Sequence, residues 1–132
     1  MVRVANALAT AFGAGDVDAA LALMSYDVMH EDMAAHTRVR GQLQVGRYYT
    51  RALADLPYGK GSSLAHVEGS RLGGGFEWRA ASGASPMRRG HTCIELDESG
   101  QISRLTAIYD SSLLSYAAYQ SLAGLAAEAP PS

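Results

Sequence analysis

The second half of the chain holds four β-type segments in a row, and the connectors between them are too short to cross over a sheet. The segments are 63–72, 76–82, 88–96 and 102–109, and the connectors are Gly73 to Gly75, Ser82 to Met87, and Asp97 to Gly100. Strands joined by so few residues pair as antiparallel hairpins. We therefore expect an antiparallel meander, against which the rest of the chain must pack.

The remainder of the chain is predicted to be helical, apart from one short hairpin. Apolar residues recur at helical spacing over 2–12, over 17–24 after the cap Asp16, over 42–56 between Gly41 and Pro57, and over 110–125. The hairpin consists of 26–33 and its antiparallel return 37–40. Helices segregated from an antiparallel sheet define an α+β fold class.

Length and cysteine content favour one domain that needs no covalent or metal staple. The chain has 132 residues, which suits one domain over 1–128 with a short tail at 129–132. The lone Cys93 cannot form an internal disulfide, and no Cys/His pair has zinc spacing. No glycine-rich phosphate loop follows a strand and opens a helix. We expect no metal and no cofactor.

The charge pattern argues against nucleic acid and membranes as partners. The net charge is -2 at pH 7, and the arginines between 38 and 51 alternate with neutral residues. Such a pattern gives no basic field for a phosphate backbone. The first apolar stretch is too broken for a signal peptide, and no apolar run is long enough to cross a bilayer. We expect a soluble, cytoplasmic protein.

The order of elements carries residues that resemble the nuclear-transport-factor-2-like superfamily, in particular its SnoaL-like and ketosteroid-isomerase-like branch. The resembling segments are Gly15 to Asp18, Tyr26 to Asp32, Gly41 with Tyr48 and Tyr49, Leu96 to Ile102, and Tyr109 with Asp110. The resemblance implies a cone-shaped α+β barrel, in which a strongly bent antiparallel sheet wraps around three to four helices and encloses a mostly apolar internal pocket. It also implies a homodimer.

Asp32 lies where the isomerase-like members of that superfamily keep a general-base carboxylate. Strand alternation puts Val28, His30 and Asp32 on one face, so the resemblance also points His30 into the cone. A carboxylate in an apolar cavity becomes more basic, which suits proton transfer near neutral pH. His30 could orient this carboxylate or carry the proton itself. The resemblance places Tyr49, with Tyr48 beside it, as a pocket tyrosine that could donate to an oxyanion.

Each of these residues also has a purely structural interpretation. Asp32 could cap a turn before Ala34, and Tyr48 and Tyr49 could be core residues with satisfied hydroxyls. A metal site of His30, Asp32 and His36 is disfavoured, because nothing constrains the loop between them.

Four further residues are predicted to line the pocket and bind the ligand. They are Phe76, Trp78, Thr92 and Tyr109. Thr92 stands where steroid isomerases keep a second, protonated acid, and Leu8 stands where they keep an oxyanion tyrosine. Both departures count against steroid isomerisation itself.

Two further motifs, one on a strand and one after the last strand, are better explained by structural roles than by catalysis. Glu77 and Arg79 resemble part of the Asp-Arg-Asp arrangement of related epoxide hydrolases, but they lie on the strand face opposite Phe76 and Trp78. They are expected to be solvated, and they could form an ion pair with a charge on a neighbouring strand. Asp110 precedes Ser-Ser-Leu-Leu, a pattern typical of a helix N-cap.

Three classes of function remain open. The leading hypothesis is a cofactor-independent enzyme that uses Asp32, with His30 and Tyr49, for proton transfer on an apolar substrate, like cyclases or isomerases of secondary metabolism. A related enzyme would open an epoxide in the same pocket, but would need a second acid that the sequence does not clearly supply. The other classes are a non-catalytic binder of hydrophobic ligands and an interaction module with a filled core.

Overall fold

The computed structural model describes residues 1–81 and 88–127, which form four α-helices and six strands. The helices are α1 (Val2–Ala14), α2 (Val17–Leu21), α3 (Gln42–Asp55) and α4 (Tyr116–Ala126). The strands are β1 (Met24–Asp32), β2 (Thr37–Arg40), β3 (Ser63–Gly69), β4 (Gly73–Arg79), β5 (Arg89–Leu96) and β6 (Ile102–Tyr109). The α+β class and the element order predicted from the sequence are confirmed.

All six strands form one sheet in the order β2-β1-β6-β5-β4-β3. The meander from β3 to β6 is antiparallel, as the short connectors predicted. The expected all-antiparallel pairing fails at one place, because β1 runs parallel to β6. Some seventy residues separate these two strands, so no hairpin constrains their relative direction. This pairing brings the end of β1 beside the end of β6.

The predicted connector Gly73 to Gly75 was wrong, because these glycines are the first three residues of β4. Gly74 and Gly75 pair with β3 on one side, and all three glycines pair with β5 on the other. A Cβ on Gly74 would collide with the backbone of Glu68 and Gly69. The glycines therefore allow a close approach between strands, and the chain reverses before them. The end of the segment predicted over 76–82 and the connector Ser82 to Met87 lie outside the described residues.

Two helix boundaries also differ from prediction. α2 ends at Leu21, and Met24 already belongs to β1, where its side chain is buried. Asp110 does act as a cap, but of a single 3-10 turn over Ser111–Leu113. The last helix begins only after Ser115, whose hydroxyl accepts from the Ala118 amide. The apolar spacing after Asp110 continued through both elements, so it could not separate them.

The core lies between the concave face of the sheet and the helices α1 and α3. Buried side chains from α1 include Leu8 and Phe12, and those from α3 include Tyr48, Tyr49 and Leu53. In the ranges 1–81 and 88–127, no helix is long and apolar enough to span a membrane.

Charges on the outer face fix the orientation of β1. Glu31 accepts from Arg38 of β2 at 2.7 Å and lies 2.5 Å from the guanidinium of Arg104 on β6. The two arginines hold the pKa of Glu31 below its usual value. Since one step along a strand reverses the face, this clamp on the outer side directs His30 and Asp32 toward the core.

Candidate functional site

The concave face of β1 carries a buried histidine and a buried carboxylate. Val28 and His30 are 0% exposed and Asp32 is 1% exposed, so the predicted alternation holds. Glu31, between them, faces outward. Buried acids and histidines are rare unless they are paired, so the partners of these two side chains decide what they can do.

The two carboxylate oxygens of Asp32 have different partners. Oδ1 accepts from the backbone N–H of Ala35 at 2.8 Å, which is the turn cap that the structural interpretation expected. Oδ2 accepts from the hydroxyl of Tyr109 at 2.7 Å. The cap fixes one oxygen, while the other lies among phenols on the concave side. The turn cap therefore uses only one of the two oxygens of Asp32.

Burial raises the pKa of Asp32, because the ionised carboxylate loses its hydration. The hydrogen bonds from Ala35 and Tyr109, together with the nearby Tyr58 hydroxyl, act in the opposite sense, since they favour the charged form. Desolvation is the larger effect. The carboxylate is thus more basic than an exposed aspartate while several donors hold it in place.

His30 is held between two tyrosines and has no direct hydrogen bond to Asp32 among the described contacts. Its Nδ1 lies 2.8 Å from the Tyr49 hydroxyl and its Nε2 lies 3.2 Å from the Tyr58 hydroxyl. Complete burial lowers its pKa to about 3, although the nearby Glu31 acts in the other direction. The imidazole is therefore neutral at neutral pH. His30 can orient its neighbours, but it is a poor proton carrier under those conditions.

Tyr58 is a site residue that the sequence did not reveal. It follows Pro57, which ends α3, in a turn where Lys60 donates its N–H to the carbonyl of Leu53 at 2.6 Å. The Ser62 hydroxyl bonds the carbonyl of Tyr58 itself at 3.0 Å. This turn folds back on the helix and leaves Tyr58 1% exposed. A tyrosine just after a helix-ending proline was the only signal, and it is a weak one.

Tyr48 is a further buried phenol near the Asp32 carboxylate. The Tyr48 hydroxyl lies 2.6 Å from that of Thr37. Burial raises the pKa values of Tyr48, Tyr58 and Tyr109, and the charge on Asp32 raises them further. All three phenols keep their protons and are available as donors.

Two polar groups on the concave face lack a partner. The indole N–H of Trp78 and the hydroxyl of Thr92 are buried, and neither has a hydrogen bond within the described part of the chain. Phe76, also buried, is paired with Thr92 across β4 and β5. The predicted pocket residues Phe76, Trp78 and Thr92 thus all face inward. Buried donors normally have a hydrogen-bond partner. Because these two donors lack one, an oxygen atom of a ligand could accept a hydrogen bond from them.

A single row across the sheet connects the carboxylate with these groups. Asp32 is level with Ala107, Ala107 with Thr92, and Thr92 with Phe76. Two strand spacings, about 10 Å, therefore separate Asp32 from Thr92. The small side chain of Ala107 lies between them. Tyr109 and Trp78, whose rings are 5.8 Å apart, border the row.

Other candidates from the sequence lie outside this cluster. Glu77 faces outward and lies 3.5 Å from Arg89 of β5, so its predicted ion pair to a neighbouring strand is confirmed. His36 is exposed, in the turn after Asp32, with a φ of 55°. No group of three or more His, Cys, Asp or Glu side chains in the described ranges is arranged to hold a metal ion.

Two surface depressions include residues of the cluster among their lining. One, of about 400 Å³, lies at the turn between β1 and β2 and is lined by Glu31, Asp32, Met33, His36, Thr37 and Arg38. Another, of about 500 Å³, includes Tyr109. A third, of about 510 Å³, is an open groove on the outer face of β3 to β5. We assign the site to the concave side, because the groove lacks a buried acid with its donors.

Neither a protein-family model nor any curated protein matches the sequence. Solved structures do match it. A bacterial protein with a cystatin-like fold from Silicibacter pomeroyi has a TM-score of 0.68 and 15% identity, with 95% of this chain and 83% of that chain covered. A SnoaL-like protein of unknown function from Burkholderia thailandensis has a TM-score of 0.68 and 19% identity, with coverage of 82% and 92%.

A nuclear-transport-factor-2-like protein of unknown function from Burkholderia xenovorans also matches. Its TM-score is 0.64 and its identity is 19%, with 83% of this chain and 81% of that chain covered. The chain therefore shares the fold of these SnoaL-like and nuclear-transport-factor-2-like structures, as the sequence resemblance predicted. Fold similarity of this kind does not define the chemistry, which must be argued from the site.

Proposed function

We propose that this protein is a cofactor-independent enzyme that moves a proton on a largely apolar small molecule, with Asp32 as the general base. The observation that carries the proposal is the environment of its carboxylate. Asp32 is buried, burial raises its pKa, and Oδ2 meets the Tyr109 hydroxyl at 2.7 Å. A carboxylate with a raised pKa is a stronger base than an exposed aspartate.

The phenols beside Asp32 supply the second requirement of such a reaction. Removal of a proton next to a carbonyl leaves negative charge on the carbonyl oxygen, and a fixed donor in a dry site stabilises that charge. Tyr58 and Tyr109 both interact with Asp32 and both remain protonated. These donors replace the oxyanion tyrosine that is missing at Leu8.

The unpaired donors on the same face favour a substrate that carries oxygen. The Trp78 indole and the Thr92 hydroxyl could donate to a carbonyl or ether oxygen of a bound molecule. Phe76 and the Trp78 ring would contact its apolar part. We propose that the substrate enters past Tyr109, the least buried aromatic ring around Asp32. A cyclase or isomerase of secondary metabolism would meet these requirements.

Epoxide opening is a second candidate, and the same phenols favour it. That reaction needs a base to activate water and a donor for the leaving oxygen. Asp32 could serve as the base, and Tyr58 or Tyr109 as the donor that the sequence alone did not supply.

The proposal can be tested with a nitrobenzisoxazole, a flat apolar probe that needs only a base. Transfer of its ring C–H proton to Asp32 breaks the N–O bond and releases a coloured cyanophenolate. We expect the wild type to accelerate this opening and Asp32→Asn to lose at least about tenfold, since general-base catalysis contributes that much or more. Asp27→Asn, on the exposed face of the same strand, is the matched control and should keep the wild-type rate.

The rate should follow one ionisation, with a midpoint above the usual aspartate pKa. Equal rates in the wild type and Asp32→Asn would refute the general-base role. Tight binding of the probe with no acceleration would instead support the non-catalytic binder.

A further inference from the structure

His30 has a hydroxyl at each ring nitrogen, and this arrangement limits where its proton can be. Nδ1 lies 2.8 Å from the hydroxyl of Tyr49, and Nε2 lies 3.2 Å from that of Tyr58. A neutral imidazole has one N–H donor and one acceptor nitrogen. The ring must therefore donate to one tyrosine and accept from the other.

Only one of the two tautomers satisfies both tyrosines. With the proton on Nε2, Tyr49 donates to Nδ1, His30 donates to Tyr58, and the proton of Tyr58 is free to be donated elsewhere. With the proton on Nδ1, His30 donates to Tyr49, whose own proton then meets no acceptor in the described part of the chain. Tyr49 is fully buried, so that lost hydrogen bond is costly.

The free proton of Tyr58 has a good acceptor in Asp32. The Tyr58 ring lies 5.8 Å from the ring of Tyr109, whose hydroxyl bonds Oδ2 of Asp32, and the Tyr58 hydroxyl favours the ionised form of that carboxylate. The Nδ1–H tautomer would turn the Tyr58 proton back toward His30 and remove it from Asp32. Tyr49 at one end of this series of hydrogen bonds and Asp32 at the other therefore both favour the Nε2–H tautomer.

We propose that His30 is a positioning residue, held as the neutral Nε2–H tautomer, which orients the Tyr58 hydroxyl as a donor toward Asp32. The protons then run in one direction, from Tyr49 through His30 and Tyr58 to the carboxylate. The use of that donor in chemistry rests on the proposed function of Asp32, whereas the arrangement of protons does not.

This arrangement matters at the moment of proton transfer. When a substrate C–H bond breaks, the proton goes to Asp32 and the electron pair moves toward the substrate oxygen. Asp32 loses its charge, so Tyr58 can redirect its hydrogen bond to that oxygen. His30 keeps the Tyr58 proton available, because its own N–H occupies the Tyr58 oxygen on the other side.

Nitrogen NMR of protein labelled with ¹⁵N-histidine tests the proposal directly. The chain has four histidines, and the signals missing from His30→Gln assign His30. We expect Nδ1 to show the chemical shift of an unprotonated nitrogen and Nε2 that of a protonated one. The Nε2–H tautomer should outnumber the Nδ1–H tautomer by roughly tenfold or more. The pattern should not change between about pH 5 and pH 8, where an exposed histidine titrates. A dominant Nδ1–H pattern, or a protonated ring at neutral pH, would overturn the proposal.

Two phenylalanine variants separate the contributions of the tyrosines. Tyr49→Phe keeps the contact between Nε2 and Tyr58, so the Nε2–H tautomer should persist. Tyr58→Phe leaves one donor unpaired in either tautomer, so the two forms should become comparably populated. Native Tyr109 contacts Asp32 but not His30, so Tyr109→Phe should leave the tautomer ratio of His30 unchanged. An unchanged tautomer ratio in Tyr58→Phe would contradict the role of Tyr58.

The failure of this inference is distinguishable from failure of the proposed function. If Asp32→Asn loses activity while His30 is Nδ1–H, the general-base role of Asp32 is supported and the positioning role of His30 is refuted. If His30 is Nε2–H and Asp32→Asn retains full activity, the arrangement of protons around His30 is supported and the enzymatic role of Asp32 is refuted.

Discussion

The hydroxyl of Tyr109 donates to Oδ2 of Asp32 at 2.7 Å, although the two residues are 77 positions apart in the chain. The parallel pairing of β1 with β6 makes this contact possible, since it places Asp32 level with Ala107, two residues before Tyr109. The last residue of β6 thus provides a donor to the last residue of β1. This contact links the candidate base to the most accessible aromatic ring around it.

Replacement of Tyr109 by phenylalanine should make Asp32 more basic. The variant removes a donor that favours the ionised carboxylate, while the desolvation that raises the pKa of Asp32 remains. We therefore expect the pKa of Asp32 to rise further, together with the midpoint of any rate that depends on it. A ¹³C NMR titration of the aspartate carboxyl carbons would measure this shift.

Tyr116→Phe is the matched control, because Tyr116 is 73% exposed on α4 and its removal should leave the Asp32 titration unchanged. A pKa of Asp32 that falls in Tyr109→Phe would contradict this account of the hydrogen bond.

Burial of neutral His30 should make the protein sensitive to acid. The pKa of His30 is 6.5 in its ordinary environment and about 3 in the folded protein, so the unfolded chain binds more protons between these values. The free energy of unfolding should therefore fall as the pH decreases from about 6.5, by up to roughly 5 kcal/mol near the folded pKa. Asp32 acts in the opposite sense, because its raised pKa adds stability that is lost as the pH rises through its folded value.

Urea unfolding at about pH 7 and about pH 4 measures this dependence on protonation. His30→Gln should show a smaller loss of stability between the two conditions, because the titrating ring is gone. His91→Gln, at an exposed position on β5, should keep the wild-type loss. Identical losses in His30→Gln and the wild type would show that another group causes the acid sensitivity.

The absence of a side chain at Gly90 makes room for Trp78. A Cβ at this position would lie 2.6 Å from the carbonyl oxygen of Ile108 and would overlap the indole ring. Gly90→Ala should therefore lower the free energy of unfolding by about 1–3 kcal/mol, as expected for overpacking. Because Trp78 is the single tryptophan, its fluorescence reports both the unfolding transition and the displacement of the ring.

Gly124→Ala provides the opposite control. Gly124 lies on α4, and a Cβ added there would meet no neighbouring atom of the described residues within 4 Å. Alanine there should raise stability by roughly 0.5–1 kcal/mol, because it favours the helix, and leave the Trp78 emission unchanged. Equal effects of the two substitutions would show that packing against Trp78 is not the cause.

Local patterns in the sequence predicted most elements and the direction of several side chains. The alternation from Val28 to Asp32 requires nothing beyond strand geometry, and it correctly put His30 and Asp32 on one face. Asp16 and Asp110 were predicted as caps from their immediate neighbours, and both accept from a backbone N–H a few residues later. Such features depend on residues close in sequence, so the sequence alone determines them.

The partners of the site residues depend on contacts between distant segments. The parallel pairing of β1 and β6 decides that Tyr109 donates to Asp32, and no short-range pattern encodes that pairing. The turn after α3 decides that Tyr58, rather than Asp32, meets Nε2 of His30. Burial among these phenols then sets the protonation of both groups, because desolvation depends on everything packed around them. The sequence thus determined the strand that carries Asp32 and the face on which it lies. Only the tertiary structure decided which hydroxyls surround it, since hydrogen bonding and burial arise when remote segments meet.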